Sequence, residues 1–211
     1  MIFGFLLISL FESLNDATIL HPFSVFQRSN EKLDPTSTQE VKAYFFDNRL
    51  GLGGFFVGMS FVSLASYAQG FWDIAFLVRT YGWEPTTAGL YYGLLQLSCG
   101  VGGMVFGGYI SDRLSATKGT FMSYSMILVA LGIAIPFTIA YPLAPTPWWS
   151  LPLMMIAIFG NNMAYACATT TLQRIFPVGM LGLSLGIYFF MSNVVGMGAG
   201  PTLVAMVTDY I

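Results

Sequence analysis

Gly107-Gly-Tyr-Ile-Ser-Asp112-Arg113-Leu-Ser-Ala-Thr-Lys118-Gly119 is a short polar break between two long uncharged runs. Residues 85 to 111 carry no formal charge before the cluster, and residues 119 to 173 carry none after it. A charged side chain at the centre of a bilayer costs about 2.5–3.5 kcal/mol even on the lenient insertion scale. Asp112, Arg113 and Lys118, gathered between runs of this length, therefore predict a turn at a membrane surface.

The composition agrees. Of the 211 residues 55% are hydrophobic and only 9% are charged, with a mean hydropathy of +0.70. A soluble domain carries about 25% charged residues, so this chain has too few to keep a water-facing surface wet. The expected class is all-α, a polytopic transmembrane helix bundle. The abundant glycine and phenylalanine suit helices that pack through small residues and meet lipid with large ones. Cys99 and Cys167 both lie in apolar runs and are expected to be packing residues, with no spacing that suggests a metal site. No cofactor is implied, and the charge pattern offers nothing to nucleic acid. The apolar start, Met1 to Phe11, lacks the basic region and small-residue cleavage site of a secretory signal.

In chain order, residues 1–11 form an uncharged run of about 17 Å as a helix, short of the ~30 Å hydrocarbon core, and are expected to be a partial span. Residues 12–49 turn polar and make a linker, with a short surface helix near Thr38 to Phe46; His21, beside Pro22, is an incidental loop residue. Residues 50–211 form the main bundle. Its expected spans are 50–72, 85–111, 120–141, 151–173 and 181–207, separated by loops that contain Arg79 to Glu84, the Asp112 cluster, the Pro142 to Trp149 corner and Arg174 to Gly179. Pro85 is suited to a first helical turn, where its missing amide would be unpaired anyway. Seven of the eight basic residues fall on the linker side of this threading, and Arg79 stands alone on the other. Basic residues gather on the cytoplasmic side, so the linker and the Asp112 loop are expected there, in an integral protein of the plasma (inner) membrane.

Gly108-x-x-x-Asp112-Arg113 with Lys118 five residues on resembles the signature loop of the major facilitator superfamily, although Leu114-Ser115-Ala116-Thr117 stand between the basic residues. Asn193-Val-Val-Gly196-Met-Gly198-Ala-Gly200-Pro201 and the run to Asp209 are similar to the eleventh span of Spinster-like and related bacterial members. The resemblance implies the C-terminal part of a twelve-span transporter, a six-helix half lacking its last span, with the N-terminal half absent from this chain. It also implies a small-molecule substrate held near the bilayer midplane, between two halves that alternate in access. Gly108, Asp112, Arg113 and Lys118 are then gate residues whose charge network biases two packings.

Counting inward from the expected span ends puts Gln96, Asn161, Asn162 and Asn193 at mid-depth, where an amide facing lipid would be costly. These four, with Gln69 and Trp72, are the candidate substrate residues; the bland alternative for each amide is interhelical glue. The span 120–141 has only hydroxyls such as Ser123 and Ser125 and is expected to face lipid. Asp73 and Arg79, at the outer end of the first full span, are candidates for an outer gate, and the Asp73 carboxylate for carrying a coupling proton or facing an organic substrate, or else they are an interfacial ion pair or mark a helix terminus. Gly54 and Gly58, Gly89 and Gly93, Gly103 and Gly107, and Gly196 and Gly200 sit at four-residue spacing and predict close helix crossings. Gly200-Pro201 predicts a kink.

The functional expectation is secondary active transport, coupled to a proton or to a solute, of a small organic anion or an amphipathic, lipid-like solute. A non-transporting scaffold, or a half-sized subunit that must pair with another bundle, is the alternative. An enzyme is not expected: no nucleophile–base or carboxylate pair appears at depth, and no Gly-x-x-x-x-Gly-Lys-Ser/Thr loop supports ATP-driven pumping.

Overall fold

The structure is a computed structural model that describes residues 38–118 and 120–209. The expected partial span at 1–11, most of the linker and His21 lie outside the described residues. The described chain is helical throughout, without strands: α1 Thr38–Asp47, α2 Arg49–Tyr81, α3 Pro85–Leu95, a π-helical turn Gln96–Gly100, α4 Val101–Lys118, α5 Thr120–Ala140, α6 Pro147–Ile175 and α7 Leu181–Asp209, with single 3-10 turns at Tyr141–Leu143 and Val178–Met180. Five stretches are long and apolar enough to cross a membrane: Arg49–Tyr81, Pro85–Leu114, Ser123–Leu143, Pro147–Ile175 and Leu181–Met206. The chain is an all-α integral membrane bundle.

Local chemistry sets the helix ends. Gly82 ends α2 with φ 68°, a left-handed conformation open to glycine, and its N–H bonds Val78 O at 3.1 Å. Pro85 and Pro147 each open a helix, after Glu84 and Thr146 in extended backbone. Phe176 stops α6 because the residue before a proline, here Pro177, is pushed out of the helical region.

Two features differ from the sequence expectation. The first full span does not end before Asp73: α2 continues to Tyr81, since Ile74–Val78 hold no breaker and Gly82 is the first residue that can turn the chain. Nor does Asp112 end its helix; α4 carries on past it to Lys118, because Leu114-Ser115-Ala116-Thr117 contains neither Gly nor Pro.

Packing centres on α6, of whose most apolar window half is buried, against a third or less for the other spans. It lies along α5 and α4, while α2 lies along α7. Small residues make these approaches possible. A Cβ on Gly107 would sit 2.7 Å from Met163 O, and one on Gly200 would sit 2.7 Å from Leu64 O. Gly103 packs on the Phe159 backbone and Gly196 on Ser63 and Tyr67. Gly54, Gly58, Gly89 and Gly93 do not do this: nothing described lies within 4 Å of a Cβ there, because the faces that carry them meet no described helix. Conversely Gly160, which has no partner at four-residue spacing, packs against Ala130 and Ala134.

Two apolar clusters result, one around Leu52, Phe56, Ile127, Leu172 and Ile175 and the other around Leu77, Ala88, Leu151 and Met154. The short helix α1 joins the first. Tyr44 is buried, donates its hydroxyl to Ile175 O at 2.8 Å and packs its ring on Phe176. Burial pushes the Tyr44 phenol up to about 12, so it stays protonated and keeps donating. On α5, Leu128, Ile135 and Ile139 are exposed as a lipid-facing helix requires, yet Ser123 and Ser125 are buried; Ser123 Oγ accepts the Ser111 hydroxyl at 3.2 Å. Helix α7 remains helical across Gly200-Pro201.

Candidate functional site

Between α2, α3 with its π turn, α6 and α7 lies a cavity of about 470 Å³. That is within the size range of small-molecule sites, which run roughly 300–1,000 Å³. Five of the six candidate substrate residues line it: Gln69, Gln96, Asn161, Asn162 and Asn193. They come from four separate elements: Gln69 from α2, Gln96 from the π turn, Asn161 and Asn162 from α6 and Asn193 from α7. Asp73, from the outer-gate pair, lines it as well.

The amides fall into two groups. Asn161 Nδ2 donates to Ser66 Oγ at 2.7 Å, and the Ser66 hydroxyl donates on to Val62 O at 2.8 Å. Asn193 Oδ1 accepts the Tyr67 hydroxyl at 2.8 Å while its Nδ2 donates to Phe189 O, and Asn162 Nδ2 donates to Ile158 O at 2.9 Å. These three are held in place. Gln69 and Gln96 form no hydrogen bond with other described residues, so their amides are open to a solute. Gln96 opens the π turn Gln96–Gly100, and its amide and that of Asn162 both lie beside Gly100. Such turns displace the following residues relative to an α-helix and recur at functional sites.

Asp73 is 5% exposed, and its Oδ1 accepts the Tyr141 hydroxyl at 2.6 Å. Asp73 thus does not make the interfacial ion pair with Arg79 that is one alternative reading of the two. Arg79, six residues and nearly two turns on, is exposed and lies over the Trp72 ring at 5.7 Å. Trp72 is likewise outside the cavity lining; its Nε1 donates to Pro201 O at 3.4 Å, tying α2 to α7 beside Gly200. The sequence reading missed the aromatic wall, which includes Tyr67, Tyr92, Tyr141, Tyr165 and Tyr188. A tyrosine inside an apolar run carries a polar tip that must find a partner when buried, and that signal was available at each of these positions.

The signature-loop residues sit at one end of the bundle, apart from the cavity. Arg174 Nη2, from the end of α6, meets Asp112 Oδ1 at 3.4 Å and Asp112 O at 3.3 Å. Arg113 lies over the Tyr109 ring at 5.5 Å, and nothing lies within 4 Å of a Cβ on Gly108. The Lys118 side chain lies outside the described residues. From sequence alone Arg174 has only the weight of a topogenic charge. Among the described residues, no three His, Cys, Asp or Glu side chains gather as metal ligands would.

The chain is similar to an MFS-type efflux pump of Mycolicibacterium smegmatis, 25% identical over 152 residues that make up 72% of this chain and 35% of that pump. It thus spans about a third of the length of that curated relative. No solved structure matches it. The family model described as Major Facilitator Superfamily matches residues 1–201, nearly the whole sequence, with four of the five membrane-length helices complete and most of the fifth. The chain therefore belongs to the major facilitator superfamily.

Proposed function

We propose that this chain forms one half of a secondary transporter, and that the cavity between α2, α3, α6 and α7 is its share of the path for a small amphipathic organic solute. The observation that carries this is the convergence of Gln69, Gln96, Asn161, Asn162 and Asn193 from four elements on one space. Amides used only as glue would pair off at separate crossings. The relative's description as an efflux pump favours export. The lining gives an organic anion no support, since it contains no Lys, Arg or His.

The other half is a second bundle, crossing where Gly54, Gly58, Gly89 and Gly93 leave α2 and α3 open. Alternating access follows from rocking of the two bundles, with the Asp112–Arg174 pair as part of the latch at the inner face. The linker and the Asp112 loop are cytoplasmic in a plasma-membrane protein, by the distribution of basic residues. Asp73 is the residue on which a coupling proton would ride. Export from inverted vesicles by the complete protein tests the reading. Asn161→Leu and Gln96→Leu should each cut export at equal membrane abundance; unaltered export in both variants would leave the amides as packing residues and favour a scaffold.

A further inference from the structure

The cavity has a marked charge asymmetry. Its lining holds one carboxylate, Asp73, and no basic side chain. Asp73 is almost wholly buried, and the Tyr141 hydroxyl on Oδ1 is its hydrogen-bond donor. Among the described residues no cation stands within ion-pair distance of it. Removing an ionised carboxylate from water is strongly unfavourable unless it is paired, and one phenol does not neutralise it. The walls around it are aromatic, with Tyr67, Phe71, Tyr92 and Tyr141 all on the lining. Aromatic faces attract cations, most strongly where water is excluded.

We infer that the solute is an organic cation, an ammonium or similar onium centre on a hydrophobic body, with its charge at Asp73 and its apolar parts against the tyrosine and phenylalanine rings. This rests on the cavity being a solute site and specifies what enters it. An anion of the same shape would meet the Asp73 charge and the negative faces of the rings, and would find no basic group to offset either. The open amides of Gln69 and Gln96 suit the polar substituents of such a solute, because an amide both donates and accepts. A proton and the cation would be alternative partners for one carboxylate.

Two probes of matched shape and opposite charge, tetraphenylphosphonium and tetraphenylborate, test this on the complete purified protein. Saturable binding of the phosphonium should weaken at least tenfold in Asp73→Asn, and the borate should gain nothing from the carboxylate. A second measurement needs no substitution. A hydrophobic carbodiimide should modify Asp73, read by mass spectrometry, and the phosphonium should protect it where the borate does not. Equal phosphonium affinity in Asp73→Asn, or modification of Asp73 undiminished by the phosphonium, overturns the inference. If the borate binds saturably and Asn161→Leu weakens it, while the phosphonium responds to neither substitution, the cavity remains a solute site and the cation assignment alone falls. If neither Asp73→Asn nor Asn161→Leu alters the binding of either probe, the cavity is not the solute site and both readings fall.

Discussion

At the scale of single residues, two side chains carry opposite expectations for stability and for activity. Asn161 bonds Ser66 across the α6–α2 approach, and an interhelical bond of this kind averages only about 0.6 kcal/mol in membrane proteins. Asn161→Leu should therefore lower the thermal midpoint in detergent by a few degrees at most. If the amide also positions the solute, the same change should raise the transport KM on the order of tenfold, equivalent to about 1.4 kcal/mol, and the split between midpoint and KM separates the two roles. Asp112 makes the complementary case. Its pair with Arg174 is solvent-facing, and exposed pairs contribute at most about 1 kcal/mol, so Asp112→Asn should leave folding and membrane abundance unchanged. A latch function predicts that transport falls several-fold all the same. Exchanging the charges, Asp112→Arg with Arg174→Asp, should restore transport only in part, because Arg174 also bonds the backbone oxygen of residue 112, a contact that a carboxylate cannot make. Full activity in Asp112→Asn measured in proteoliposomes would reduce the pair to a topological marker.

At the scale of elements, the helix crossings depend on whether a backbone can lie against a backbone. A Cβ at Gly107 would fall 2.7 Å from Met163 O and 2.9 Å from Met163 Cα, and neither atom can move without shifting α6. Overpacking a core typically costs about 1–3 kcal/mol, and Gly107→Val should sit at or above that range. Gly186→Ala, on a helix face with nothing within 4 Å, should leave the thermal midpoint unchanged or raise it slightly, since Ala is the better helix former; comparable losses in the two variants would show that the loss at Gly107 does not come from the crossing. The same contrast shows what was legible beforehand. Gly103, Gly107, Gly196 and Gly200 stand at crossings as their spacing predicted, while Gly54, Gly58, Gly89 and Gly93 have identical spacing and no described neighbour. Spacing establishes that a face is smooth, and only tertiary arrangement determines what covers it. The spans were legible because each is an uncharged run of bilayer length. Their ends were not legible from charge alone: Asp73 and Asp112 looked like boundaries, but Asp73 is satisfied inside the bundle by Tyr141 and Asp112 on the surface by Arg174, so neither stops a helix. Four amides of the cavity, Gln96, Asn161, Asn162 and Asn193, were legible from polarity at depth, and Gln69 stood beside them as a candidate nearer the outer end. The tyrosines were not singled out, because an aromatic residue in an apolar run looks like packing until a neighbour is found for its hydroxyl.

At the scale of the whole molecule, threading is the property on which every assignment of site and gate depends. Helix α2, with 33 residues, is about 50 Å long at 1.5 Å per residue, well beyond the ~30 Å hydrocarbon core; it must tilt or project into water at one or both ends. Its length thus leaves the depth of Asp73 open, but the alternation of loops does not depend on tilt. One membrane-length helix, Ser123–Leu143, separates the Asp112 cluster from the corner at Ala144 to Trp149, so a crossing there predicts that the two polar breaks lie on opposite sides. The corner carries Trp148 and Trp149, both exposed, and Trp148 stacks edge-on with Trp83 and Tyr91; an aromatic cluster at one end of a bundle is what a water–lipid boundary selects. Basic residues gather at the other end, where Arg113 and Arg174 sit. The expected result follows from introducing one cysteine at a time after replacing Cys99 and Cys167 by alanine. In intact cells a membrane-impermeant maleimide should label Thr146→Cys directly, and should label Ser115→Cys only once the membrane is opened. Thermal midpoints of the double-alanine background must be checked first, because Cys167 is fully buried and its thiol lies 3.5 Å from Gly107 O. Labelling of both positions from the same side would mean that 123–143 does not cross, and the cavity, the latch and the direction of export would then all need a different threading.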